Sequence, residues 1–126
     1  METVFTSNAP APIGPYSQAI LANGMLYCSG QIALEPATGE FAGGDITAQT
    51  AWVCENIAAV LGAAGLGLAD VVKTTCFLTT MGDFTAFNEV YGRYFPAKPA
   101  RSCVAVKELP KAALVEIEVI AAAKRS

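Results

Sequence analysis

The chain has 126 residues, 53% of them hydrophobic and only 15% charged, with a net charge of −3 and a mean hydropathy of +0.42. The length suits one domain and excludes two. A charged share well below the usual ~25% means a membrane segment, self-association or an Ala/Gly-rich core. No apolar run approaches the ~20 residues of a spanning helix, because Gly, Pro or a charge cuts each one, so self-association is the better account. The acidic balance and scattered basic residues argue against a nucleic-acid partner. The N-terminus, Met1-Glu2-Thr3-Val4-Phe5, has no basic or long apolar region of a secretory signal. The four cysteines (Cys28, Cys54, Cys76, Cys103) form no C-x-x-C pair and the chain has no histidine, so reduced thiols in a cytoplasmic protein are expected and a metal site is not.

In chain order, Val4 to Ile13 holds Asn8, Pro10 and Pro12 before Gly14-Pro15, and can be no more than a short edge strand followed by an extended loop. Asn23-Gly24 separates Ser17–Leu21 from Met25–Ser29, a hairpin signal. Gln31 to Gly44 reads as loop, with a turn at Thr38-Gly39. A helix is predicted from Thr47 to Ala64, capped by Asp45 or Thr47 and closed by Gly65; Ala48, Ala51, Trp52, Ile57, Val60 and Leu61 form its inner stripe, with Glu55 and Asn56 opposite. Val71–Leu78 is a strand. A second helix, Asp83 to Phe95, carries a stripe of Phe84, Phe87, Tyr91 and Phe95 that reads as core, and Pro96 and Pro99 stop it. Strands at Ser102–Lys107 and Leu114–Ala122 close the chain around Leu109-Pro110-Lys111. The order predicts an α+β fold: one mixed six-stranded sheet, otherwise built of hairpins, with two helices on one face and the other face in need of a partner.

The catalytic inventory is short. Without histidine no Ser-His or Cys-His pair exists, and Gly62-Ala-Ala-Gly65-Leu-Gly67 falls at a helix end, where it reads as a cap rather than a phosphate loop. Arg101, at a strand entrance after Pro99, offers a fork for a carboxylate; an ordinary salt bridge is the alternative. Glu116 and Glu118 alternate with Val115, Ile117 and Val119, so both carboxylates share one face, about 6 to 7 Å apart. They suit proton or water handling, or simply face solvent. Tyr16 follows the Gly14-Pro15 turn, and Ser29-Gly30 ends a strand where backbone can approach a ligand; a surface aromatic and a bulge are the plainer readings.

Pro99-Ala-Arg-Ser-Cys103, Leu109-Pro110 and Val115-Glu-Ile-Glu118, together with Ile13-Gly-Pro-Tyr-Ser-Gln18, Cys28-Ser-Gly-Gln31, Val72-Lys-Thr-Thr75 and Phe87-Asn88, resemble the Rid/YjgF family over about Asn8 to Ala122. The resemblance implies a chorismate-mutase-like fold and a homotrimer with ligand clefts between subunits. It implies hydrolysis of 2-aminoacrylate, 2-iminopropanoate and 2-iminobutanoate, released by pyridoxal-phosphate dehydratases, to 2-keto acids and ammonia. In it Arg101 would hold the substrate carboxylate, Glu116 would activate water with the Cys103 carbonyl, and Tyr16, Ser29, Gly30 and Asn88 would line the pocket. No cofactor or metal is implied. A non-enzymatic carboxylate-binding or chaperone-like protein using the same cleft is the alternative, and an endoribonuclease or translation inhibitor ranks below both.

Overall fold

The computed structural model describes residues 1–123. Six strands, β1 (Glu2–Val4), β2 (Ala19–Ala22), β3 (Met25–Gln31), β4 (Val71–Leu78), β5 (Ala100–Ala105) and β6 (Val115–Ala122), form one sheet in the order β1-β2-β3-β6-β4-β5. Every neighbouring pair is antiparallel except β4 and β5. The helices are α1 (Ile46–Ala63) and α2 (Phe84–Tyr94). The α+β class, the mixed six-stranded sheet and the two helices are as the sequence predicts.

Local chemistry explains the punctuation. Asn23 and Gly24 both adopt positive φ (52° and 75°), the requirement of the two-residue turn that joins β2 to β3. Asp45 caps α1, accepting from the Ala48 N–H at 2.9 Å. At the other end the Leu66 N–H donates to the Leu61 carbonyl and the Gly65 N–H to that of Gly62, around Gly65 at φ 75°. This is the left-handed closure expected of a glycine there.

Three expectations change. The inner face of α1 is Ile46, Gln49, Thr50, Val53, Cys54, Asn56, Ile57, Val60 and Leu61, while Ala48 and Trp52 turn outward. Asn56 and Gln49 go inside because backbone needs them. Asn56 donates to the Leu34 carbonyl (2.9 Å), while Gln49 donates to that of Gly44 (2.8 Å) and accepts from the Leu114 N–H (2.9 Å). The strand expected at Ser102–Lys107 begins and ends two residues earlier, because pairing with Lys73–Leu78 sets its register. Nor is the sheet hairpin-built beyond β3: β6 inserts between β3 and β4, so β5 and β6 never pair, and β5 reaches its parallel partner through α2.

The core lies between the helices and one sheet face. Leu26, Cys76, Leu78, Val115, Ile117 and Val119 from the sheet meet Val53, Ile57, Leu61 and Phe87 from the helices. The opposite face carries Tyr27 and Val104, each close to half exposed, beside Phe77, Glu116 and Glu118. Nothing from this chain's helices covers it.

Between β5 and β6, Lys111 and Ala112 are both left-handed (φ 57° and 56°) although neither is glycine. That conformation costs an L-residue about 1–2 kcal/mol, partly offset by the greater freedom glycine would have when unfolded. Ala112→Gly is therefore expected to stabilise the fold by about 0.5–1 kcal/mol, read from the urea midpoint at unchanged slope.

Candidate functional site

A cleft of about 600 Å³ opens on the uncovered side, between the β3–β6 pair, the N-terminal segment and the Pro110 turn. Tyr16, Ser29, Gly30, Glu116 and Glu118 line it, joined by Lys111 and by apolar Pro10 and Ile13. The wall is held by Gln18, which sequence reasoning did not single out. Its buried amide donates to the carbonyls of Thr6 (3.0 Å) and Pro10 (2.9 Å) and accepts from the Thr6 N–H (2.7 Å). A buried amide with a partner for each polar atom clasps the proline-rich strap to the sheet. The sequence signals were a polar residue just before a strand and its place at the end of the Ile13–Gln18 motif.

Gly30 and Glu116 are matched in shape. The β3–β6 register shifts between Cys28 and Gln31, so Ser29 and Gly30 form a bulge beside β6. A Cβ on Gly30 would run into the Glu116 carboxylate, with Cδ at 2.8 Å. Glycine here makes room for the acid rather than for a special backbone angle. Burial, helped by the neighbouring Glu118 charge, pushes the Glu116 carboxyl above the ordinary 4.5. A group with a raised pKa holds its proton to higher pH, so a base at this position gains function as pH climbs through that raised value. Glu118→Gln removes the like charge, and the Glu116 carboxyl is expected to titrate at lower pH in that variant, followed by NMR of the side-chain carboxyl carbon.

Arg101 stands elsewhere. It lies over the rings of Tyr91 (4.8 Å), Phe84 (5.4 Å) and Phe87 (6.0 Å) and donates to Asn88 Oδ1 at 2.7 Å. The partner is a neutral amide, and no carboxylate of the described residues pairs with the guanidinium. The aromatic stripe of α2 is thus core and also a cation–π bed. Tyr91 is anchored by a 2.7 Å hydrogen bond between its hydroxyl and that of buried Thr74. Arg101 and Asn88 line a second cleft of about 350 Å³ with Lys98 and Pro99. Cys103, two residues along β5, shares the Arg101 face and lines neither cleft.

The residues singled out therefore fall into two groups on opposite faces of the sheet. Arg101 and Cys103 pair with Thr74 and Cys76, whose side chains enter the core. Glu116 pairs with Phe77 on the alternate face of the same strand. Within one chain Tyr16, Ser29, Gly30 and Glu116 come together, as do Arg101 and Asn88, but the groups do not meet.

The cysteines are free thiols. Burial raises Cys28 and Cys76 to about 12 and raises Cys54 too, leaving them unreactive packing groups. Burial also raises Cys103, with Arg101 opposing the rise. Among the described residues no three metal-ligating side chains cluster, and no helix is long and apolar enough to cross a membrane.

Residues 6–123 match the family model described as Endoribonuclease L-PSP. A RutC family protein of Pyrococcus horikoshii is 56% identical over 121 residues, covering 95% of this chain and 96% of its own. Among solved structures, the YjgF gene product of E. coli superposes with a TM-score of 0.93 at 42% identity, covering 98% of this chain and 100% of its own. E. coli TdcF with bound serine does so at 0.92 and 42%, over the whole of both chains. A Yersinia pestis protein of the Rid family is 51% identical with a TM-score of 0.93, over 96% of this chain and 98% of its own. With a family model matching residues 6–123 and relatives alike over nearly the whole chain, the chain belongs to the Rid/YjgF family.

Proposed function

We propose that the protein is a cofactor-free cytoplasmic deaminase, a homotrimer that hydrolyses 2-imino and enamine acids to 2-keto acids and ammonia in clefts between subunits. The observation that carries this reading is the split site. One sheet face offers a half-buried carboxylate with a raised pKa beside Lys111, a point charge that lacks the bidentate fork a guanidinium gives a substrate acid. The other offers a guanidinium on an aromatic bed, bonded to the Asn88 amide and to no carboxylate of the described residues, but no base. Each lacks what the other has, and a closed ring of copies joined head to tail would bring them together. The apolar residues left open beside Glu116 give such an interface its driving force.

The chemistry follows from the groups available. Arg101 of one chain binds the substrate carboxylate, with Asn88 holding the fork at its angle. Glu116 of the neighbour takes a proton from water as the oxygen adds to C2 of the protonated imine, giving a carbinolamine. The Glu116 carboxylic acid then returns that proton to nitrogen, the C–N bond breaks, and the regenerated Glu116 carboxylate takes the hydroxyl proton as the keto oxygen forms, passing it to the departing ammonia, which leaves as ammonium. An enamine such as 2-aminoacrylate first takes a proton at C3 to become the imine. Positioning contributes most, because imines already react with water unaided. The relative TdcF, solved with serine bound, supports a small substrate with a carboxylate next to a nitrogen-bearing carbon.

The family model's description names an endoribonuclease. For this chain two carboxylates line the larger cleft and the net charge is −3, both of which repel a polyanion. The test couples the protein to a threonine dehydratase and follows 2-iminobutanoate decay. The wild-type chain is expected to speed decay over a protein-free control, and Arg101→Ala to lose about 100-fold in kcat/KM. No acceleration, with 2-oxobutanoate still bound in calorimetry, would replace this reading with a carboxylate-binding protein.

A further inference from the structure

Two hydroxyls line the Glu116 cleft, and their neighbours fix which way each can hydrogen-bond. Ser29 Oγ lies 2.6 Å from the Ser17 carbonyl oxygen. A carbonyl has no proton, so the hydroxyl must be the donor in that bond, and toward anything else it has only lone pairs to offer. Tyr16 is set the other way. Its oxygen accepts from the Ile13 N–H at 3.3 Å, so its own proton is left to donate. The cleft thus presents one hydroxyl that accepts and one that donates, beside a carboxylate.

Substrate and product differ in the same sense. The nitrogen of a 2-imino acid carries one N–H when neutral and two when protonated, whereas the keto oxygen that replaces it can only accept. The two molecules are otherwise nearly identical in size and shape and carry the same carboxylate, so Arg101 cannot tell them apart. We infer that Ser29 is a specificity-determining residue whose acceptor-only hydroxyl binds the imine N–H and offers nothing to the keto oxygen, so that the cleft holds substrate in preference to product. Tyr16, with its free proton, suits a lone pair of the incoming water. Ser29 is well placed for this because the bulge and the Ser29 N–H bond to the Gln18 carbonyl (2.9 Å) fix its backbone. The preference matters because the product shares the substrate's carboxylate and would otherwise compete for the same clamp.

The inference rests on the deaminase reading, and its test separates the two. KM and kcat for 2-iminobutanoate, and the competitive inhibition constant of 2-oxobutanoate, are measured for the wild-type protein, Ser29→Ala and Ser29→Thr. Ser29→Ala is expected to raise KM about tenfold, the equivalent of one lost hydrogen bond, while the keto-acid constant stays within about twofold. Ser29→Thr keeps the hydroxyl and is expected to restore KM. The keto acid is the internal control, since a cleft that had merely deformed would lose both ligands together. Parallel weakening of imine and keto acid, or no change in either, overturns the role of Ser29 and leaves the deaminase standing. A wild-type protein that hydrolyses no imine overturns both.

Discussion

Co-expression of Arg101→Ala with Glu116→Ala is expected to regenerate turnover that neither variant has alone. If each site takes its cation from one chain and its carboxylate from the next, random mixing of equal amounts leaves about a quarter of sites with both groups intact. The signal is large because each single variant starts from a deep loss. Removing a general base costs roughly 10²–10⁴-fold, and removing a carboxylate clamp is of similar consequence. The check is the rate of 2-iminobutanoate decay with the purified mixed assembly, against the two variants purified separately and combined without exchange. Failure to recover activity, in assemblies shown by mass to contain both chains, would mean that one chain supplies both groups. That would contradict the opposite-face placement of Arg101 and Glu116.

Gly30→Ala is expected to lower kcat about 100-fold, the scale of a displaced base, with little change in the urea midpoint. Gly30 is not among the residues held at positive φ, so alanine meets no backbone penalty there. What its methyl meets is the Glu116 carboxylate, and the acid must swing away from its position over the bulge. The mechanism predicts strong non-additivity: once Glu116 is alanine there is nothing left to displace, so Gly30→Ala should cost little more in that background. Kinetics of the two single variants and the double close the cycle. If the losses multiply instead, Gly30 acts on something other than Glu116.

Several features were legible in the sequence because their causes are local. Alternation along Val115–Val119 needs only the two-residue period of a strand, and it put Val115, Ile117 and Val119 on one face, which the structure buries, and both glutamates on the other. Asn23-Gly24 names its own turn, and Asp45 and Gly65 name the ends of α1. The motif matches reached further, since they gathered Tyr16, Ser29, Gly30, Asn88, Arg101 and Glu116 before any geometry was known. The inner face of α1 was misread for a physical reason. A helix rich in alanine has little contrast between its faces, so the deciding residues were Asn56 and Gln49, and these turn inward to satisfy carbonyls and an N–H that lie far off in the chain.

The sequence by itself therefore determined the elements, the alternation that separates Glu116 from the core, and the set of side chains proposed to clamp and hydrolyse a small acid. Only the tertiary structure decided how these are distributed. The insertion of β6 between β3 and β4, and the parallel run of β5 on β4, are long-range pairings that no local pattern encodes. Those pairings turn Arg101 toward α2 and Glu116 away from it, lay the acid over Gly30, and aim the Ser29 proton at Ser17. Side-chain direction in a sheet follows from register, and register is fixed by which strands meet.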